Sequence, residues 1–202
     1  MPDDSPQFPR WRDDARDWCT GRPWRWRAAV LAVLAWQAAV PFRDAAAFHV
    51  FRGITFGAHE FGHLFFALSG NEWLAVAGGS MMQLLIPVGA GTVMRRYRDW
   101  FGVAACGLWL AASLADLAPY IADARAMDLD LVSFSEDGAV HDWHYLLGKA
   151  GLLAQDQALA RLDRLVGLVV LAASVAIALW LLQQMRRRPA SGSLGDLDAG
   201  RR

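Results

Sequence analysis

Cysteine is scarce. Only Cys19 and Cys106 occur, one in a charged stretch and one in an apolar run. That excludes a disulfide framework, and neither residue has the neighbours of a thiolate metal site. Net charge is absent as well. The 20 basic and 20 acidic residues cancel, which removes the electrostatic case for a nucleic-acid partner. No cleavable signal peptide is expected either. The first 23 residues are polar, with Asp13, Asp14 and Asp17 among the arginines, and the first apolar run carries no clear small-residue cleavage site, so it is expected to stay as an anchor. No internal repeat is visible.

What the chain has in quantity is apolar sequence. Of 202 residues 55% are hydrophobic, with a mean hydropathy of +0.20. The charges gather in the N-terminal stretch, at 95–99, in 123–164 and after Met185, and long apolar runs lie between. This is the pattern of a polytopic membrane protein. Trp11, Trp18, Trp24, Trp26, Trp73 and Trp100 flank apolar runs, as in an interfacial aromatic belt. The expected fold is an all-α polytopic membrane protein of about five transmembrane segments, over 26–42, 47–69, 73–94, 100–122 and 165–184. The third segment holds Gly78-Gly79-Ser80, Pro87, Gly89 and Gly91, so it is expected to be kinked or re-entrant. Residues 1–23 are expected to form a disordered polar tail. Residues 24–188 then form the helical membrane domain, with a polar extramembrane segment at 124–163, and residues 189–202 form a second disordered tail.

Orientation is ambiguous at this stage. The arginines at 95–98 and 186–188 belong on the cytoplasmic side. Five spans would then put the arginine-rich N-terminal stretch outside. A re-entrant third segment would bring all three clusters inside, but would separate His59 and Asp116 to opposite faces. The expected location is the bilayer of a bacterial inner (cytoplasmic) membrane.

His59-Glu60-Phe61-Gly62-His63 lies in the second apolar run and reads H-E-x-x-H. Residues four apart on a helix point about 40° apart, one turn up. Both imidazoles can therefore grip one zinc ion, while Glu60 is placed as general base for the attacking water. Ionisable side chains rarely sit in hydrocarbon without a partner or a metal. Gly53 and Gly57 form a G-x-x-x-G that would permit close helix contact. A catalytic zinc usually has three protein ligands, so one more is needed. Asp116 is favoured by depth: counted from residues 47 and 100, its height matches that of His59 and His63 within about one turn. Asp123, seven residues on, and His141 are the alternatives, with Pro119 able to bend the intervening helix. His49 stands ten residues before His59, on another helix face. His141, Asp142 and His144 form a compact H-D-W-H, read either as ligand, orienting partner or second metal site, or as an amphipathic turn lying on the membrane. Ser80 and Gln83 could contact a substrate, or could simply join helices.

On these motifs the chain resembles the site-2 protease family of intramembrane zinc metalloproteases. His59-Glu60-Phe61-Gly62-His63 matches that family's first motif. Asp116-Leu117-Ala118-Pro119 has the shape of its N-x-x-P stretch, with Asp replacing Asn, and Asp123-Ala124 stands roughly where its Asp-Gly should be. The resemblance covers residues 47–125 and makes Asp123 the third ligand by analogy, against Asp116 by depth. It implies an intramembrane peptidase using Zn2+ on a transmembrane protein substrate. A non-catalytic protein with a structural or regulatory zinc, and a zinc hydrolase of a lipid or small molecule, are the competing expectations.

Overall fold

The computed structural model describes residues 11–129 and 141–187, and among these every regular element is helical. In chain order they are α1 (Trp11–Cys19), α2 (Arg25–Arg43), α3 (Arg52–Ala67), α4 (Glu72–Arg96), α5 (Trp100–Ala122), α6 (Asp142–Ala150) and α7 (Asp156–Arg187), with a 3-10 turn at Leu153–Gln155 before α7. Three stretches are long and apolar enough to cross a membrane: Glu72–Arg96, Trp100–Ala122 and Leu153–Arg187. The count is three rather than five because α3, with 16 residues, is too short, and α2, with 19, is long enough but not apolar enough, carrying Arg25, Arg27, Gln37 and Arg43. The described residues stop short of 189–202, and the expectation for that stretch lies outside them.

Local chemistry fixes the ends of these elements. Asn71 caps α4, its side chain accepting from Leu74 N–H at 3.0 Å, and Asp99 caps α5 by accepting from Gly102 N–H at 3.1 Å. Each oxygen satisfies an amide that has no partner inside the helix. Arg95 and Arg96 close α4 at the negative end of its dipole. α4 runs without interruption through Gly78, Gly79, Ser80 and Pro87, so the segment at 73–94 is one continuous helix and not a loop that turns back on itself. α6 stops at Gly151, whose φ of 67° is a left-handed conformation that favours glycine.

α5 is the central helix. Its buried face is mostly small: Ala104, Ala111, Ala112, Ser113, Ala115 and Ala118. Small residues let helices approach when lipid supplies no hydrophobic drive between them. A Cβ on Gly107 would run into the Ser174 hydroxyl of α7, and one on Gly167 would meet Phe42 of α2 and Leu114 of α5. The tightest approach joins α3 to α4, where a Cβ on Gly62 would collide with the Gly78 carbonyl. Gly53 and Gly57, the expected contact pair, have open space around them. Their face of α3 turns outward with Ile54, Phe61, Leu64 and Leu68.

Contacts along α5 give the direction of its neighbours. Trp26 of α2 meets Phe101, and Phe42 lies near Leu114 across Gly167, so α2 runs parallel to α5. Thr55 of α3 bonds Ser113 and Trp109, and His59 faces Tyr120, so α3 is parallel to α5 too. α2 and α3 therefore rise in the same direction, joined by the turn at 44–51, and do not form a hairpin. Residues 11–19, expected in a disordered tail, are helical instead. Ala15 and Cys19 are fully buried, Trp11 packs on Trp100 and Trp180, and Asp14 pairs with Arg98.

Candidate metal centre

His59 and His63 project from α3 towards α4, with ring centroids 4.7 Å apart. Gly79 on α4 makes room for them. A Cβ there would strike His63 Nε2 and come within 2.7 Å of His59 Nε2. Asp142, the first residue of α6, reaches the same point. Its Oδ2 lies 3.0 Å from His59 Nε2 and 3.2 Å from His63 Nε2. Among the described residues, this is the one group of three or more His, Cys, Asp or Glu side chains whose ligand atoms converge as a metal site requires.

The protons on the two imidazoles can be traced. Gln83 Nε2 donates to the Ser113 carbonyl at 2.8 Å, which turns Gln83 Oε1 towards His59 Nδ1 at 3.0 Å. His63 Nδ1 faces the Ala75 carbonyl at 2.9 Å. Both oxygens are acceptors, so both Nδ1 atoms carry the hydrogen. In a neutral imidazole the lone pair is then on Nε2, and both lone pairs aim at a carboxylate oxygen that has no proton to give. Three acceptors converge at hydrogen-bond distance. The arrangement needs a proton or a cation between them. Imidazoles whose remaining N–H is held by a carbonyl-type oxygen are the usual arrangement around a bound metal, and the donor set fits one. Burial alone would raise the Asp142 pKa, but the two imidazoles beside it outweigh that and hold the carboxylate below its usual range.

Asp142 is itself held in place. His141 caps α6, its Nδ1 accepting from His144 N–H at 3.2 Å, while its Nε2–H donates to Asp123 Oδ2 at 3.1 Å. The Asp142 N–H donates to the Tyr120 hydroxyl at 3.0 Å, and His144 Nδ1–H donates to the Ala124 carbonyl at 2.8 Å. Trp143 and Tyr120 pack with Leu117 and Ile121 over the end of α5. Glu60 is half-buried beside the pair, near enough for its charge to act on His63 and Tyr120.

The structure therefore brings together His59, Glu60, His63 and Gln83 of the expected residues, sets His141 and His144 around Asp142 as its supports, and leaves Asp116 and Asp123 out of the converging group. Asp116, expected as third ligand, bonds His49 Nε2 at 3.0 Å, with Arg52 Nη2 at 3.7 Å. The depth count misplaced it because it assumed that α3 and α5 start level, whereas Thr55, in the first turn of α3, already lies beside Trp109 and Ser113 of α5. Tyr120, one turn further on, is the α5 residue level with His59. Asp123, the choice by analogy, is occupied by His141 and by the N–H groups of Asp128 and Leu129. Both nitrogens of His141 are engaged, so it orients Asp142 and does not ligate. His144 likewise secures α6. Gln83 is committed to His59 and Ser113, not free to hold a substrate, and the buried Ser80 hydroxyl has no hydrogen-bond partner among the described residues. The residue that the favoured assignment missed is Asp142. Its signal was the H-D-W-H itself, a carboxylate between two histidines outside the apolar runs.

Compared with family models, with curated proteins and with solved structures, the chain matches none.

Proposed function

We propose that the protein is a zinc-dependent membrane metallohydrolase, acting as a peptidase. The observation that carries this is the convergence of His59 Nε2, His63 Nε2 and one Asp142 oxygen, with Glu60 alongside. Two imidazoles and one carboxylate on one side of a cation form a catalytic donor set, whereas structural zinc is closed by four protein ligands. His141 and His144, the residues that could have closed it, are engaged elsewhere. That favours catalysis over a structural zinc.

A bound zinc would polarise the scissile carbonyl and acidify water. His59, His63 and Asp142 would hold it. Gln83 and Ala75 keep the two rings in the ligating tautomer. Glu60 accepts the proton of the attacking water and returns it to the leaving amine. Tyr120 fixes the backbone of Asp142 and walls the site against α5. The resemblance to site-2 proteases supports the peptidase reading through His59, Glu60 and His63, while the carboxylate comes from a different place in the chain.

The test is metal content with turnover. Purified protein should carry about one zinc, and His59→Ala/His63→Ala should carry none. Glu60→Gln should keep the metal and lose turnover on single-span substrates by about 100-fold or more, the usual contribution of a general base. Equal cleavage by wild type and Glu60→Gln would remove the catalytic assignment.

A further inference from the structure

The ends of the bundle differ in charge, and the metal centre belongs to one of them. α5 has 23 residues, about 34 Å of helix, close to the roughly 30 Å of a bilayer's hydrocarbon core. Its two ends therefore mark the two boundaries. Tyr120, two residues from the C-terminal end, faces His59 and accepts from the Asp142 backbone. Ala75, in the first turn of α4, accepts from His63. Asp142 arrives on α6, outside the apolar runs. The centre thus lies within about a turn of where α4 and α5 leave the apolar layer. It is not at mid-membrane.

The opposite end collects the arginines. Because α2 and α3 rise together, α1, the α4–α5 turn and the end of α7 all meet there. Asp14 pairs with Arg98, and Arg186 lies 5.1 Å over the Trp24 ring. Arg12, Arg16, Arg22, Arg25, Arg27, Arg95, Arg96, Arg98, Arg186 and Arg187 are at this end, ten of the 20 basic residues. The other end and the turn before α3 hold six: Arg43, Arg52, Arg125, Lys149, Arg161 and Arg164. Basic residues flanking spans stay in the cytoplasm. All three arginine clusters now agree, which no five-span arrangement allowed.

Depth also bears on the substrate. Inside a span every peptide carbonyl is engaged in the helix. At the C-terminal end of a span the last four carbonyls are free, and beyond either end the chain leaves the helix, so a bond there can be polarised without unwinding the substrate first. We propose that the His59–His63–Asp142 centre opens at the extracytoplasmic boundary of the membrane. Its substrate is a membrane-anchored polypeptide whose scissile bond lies just beyond the outer end of its span. The substrate half rests on the peptidase reading above; the placement half does not.

The test has two arms. In full-length protein carrying Cys19→Ala and Cys106→Ala, single cysteines are introduced as Ser69→Cys, in the turn between α3 and α4, and Arg187→Cys, at the end of α7. With a membrane-impermeant maleimide on intact cells, Ser69→Cys should label at once, and Arg187→Cys only after permeabilisation. A reporter domain active only in the cytoplasm, fused after Arg202, should be active and needs no cysteine change. The reverse pattern in either measurement overturns the placement, whether or not zinc is bound. The second arm uses single-span reporters with one cleavable stretch at the outer boundary, at mid-span or at the inner boundary. Wild type should cut the outer-boundary reporter at least tenfold faster than the others, and Glu60→Gln should cut none. Preferred cutting at mid-span or at the inner boundary overturns the substrate half. So does release of headgroup or fatty acid from phospholipid vesicles with every reporter intact. Loss of zinc binding with Ser69→Cys still labelled from outside removes the peptidase reading and the substrate half, and leaves the placement standing.

Discussion

Gln83 ties three helices to one nitrogen. It sits on α4, donates to a carbonyl of α5 and accepts from His59 on α3. Its amide cannot turn over without losing the Ser113 bond, so the His59 tautomer is set by packing. Gln83→Leu keeps the volume but frees the ring. Zinc affinity should fall about 10- to 100-fold, the usual effect of losing an orienting partner of a metal ligand, with the helical circular dichroism unchanged. A fall no larger than the scatter between preparations would show that the ring is positioned by Gly79 and α3 alone. Asp142 and Asp116 give the sharper contrast. Asp142→Ala should weaken zinc binding by more than the Gln83 variant does, because it removes a ligand atom rather than its support. Asp116→Ala should leave zinc affinity alone and lower stability by about 2 kcal/mol, since it breaks a charge-assisted hydrogen bond to buried His49. Competition with a chelator measures the first effect and thermal unfolding in detergent the second. If Asp116→Ala releases zinc and Asp142→Ala does not, the two roles are exchanged.

α6 is the element that makes the centre, and it is the one the apolar pattern could not reveal. It has nine residues, too few for a periodic signal, and it lies inside the polar stretch at 124–163. What could be read were the elements whose reason is local. The helix at 100–122 was placed to the residue because Asp99 caps it and charge ends it, and the convergence of His59 and His63 followed from a spacing of four. Asp142 could not be ranked above Asp116 because proximity across 83 residues in sequence is set by how α6 docks on α5. The spacing of His141, Asp142 and His144 records a docking device rather than a ligand set. The docking should depend on pH. Burial pushes the Asp123 carboxyl up, but the N–H groups of Asp128 and Leu129 and the His141 ring hold it below its usual value. A depressed folded-state pKa contributes stability above the unfolded value, about 3.9, and loses it as pH falls through the folded value. The melting temperature of wild type should therefore drop below about pH 4 more steeply than that of Asp123→Asn, which has no such proton to bind. Parallel melting curves for the two proteins across that range would show that the Asp123 contact contributes nothing to stability.

At the scale of the whole molecule, the two ends of the bundle do separate work. One end holds the centre and its docking helix. The other carries α1, folded back under Trp100 and Trp180, with Cys19 Sγ 3.6 Å from the Leu181 carbonyl. Alternating Arg and Asp read as a tail too polar to bury anything, yet α1 places Ala15 and Cys19 inward and turns its charges out. Nine residues of mixed charge need a surface to fold against, and the basic ends of α4 and α7 supply it through Asp14 and Arg98. Because Trp100, which that surface includes, is about 30 Å along α5 from Tyr120 beside the His59–His63–Asp142 centre, damage to one end should not reach the other. Ala15→Arg places a charge where the native side chain is fully buried, a cost of about 2 kcal/mol or more if the helix stays docked. The chain can limit that cost by releasing α1, which exposes Trp11 and Trp100 to water. The expected outcome is a lower melting temperature in detergent with red-shifted tryptophan emission. Zinc affinity and the order of reporter cleavage should stay at wild-type values. If Ala15→Arg instead releases zinc while the remaining helices stay folded, the bundle transmits strain from end to end. The basic end would then be part of the working site rather than its cytoplasmic anchor.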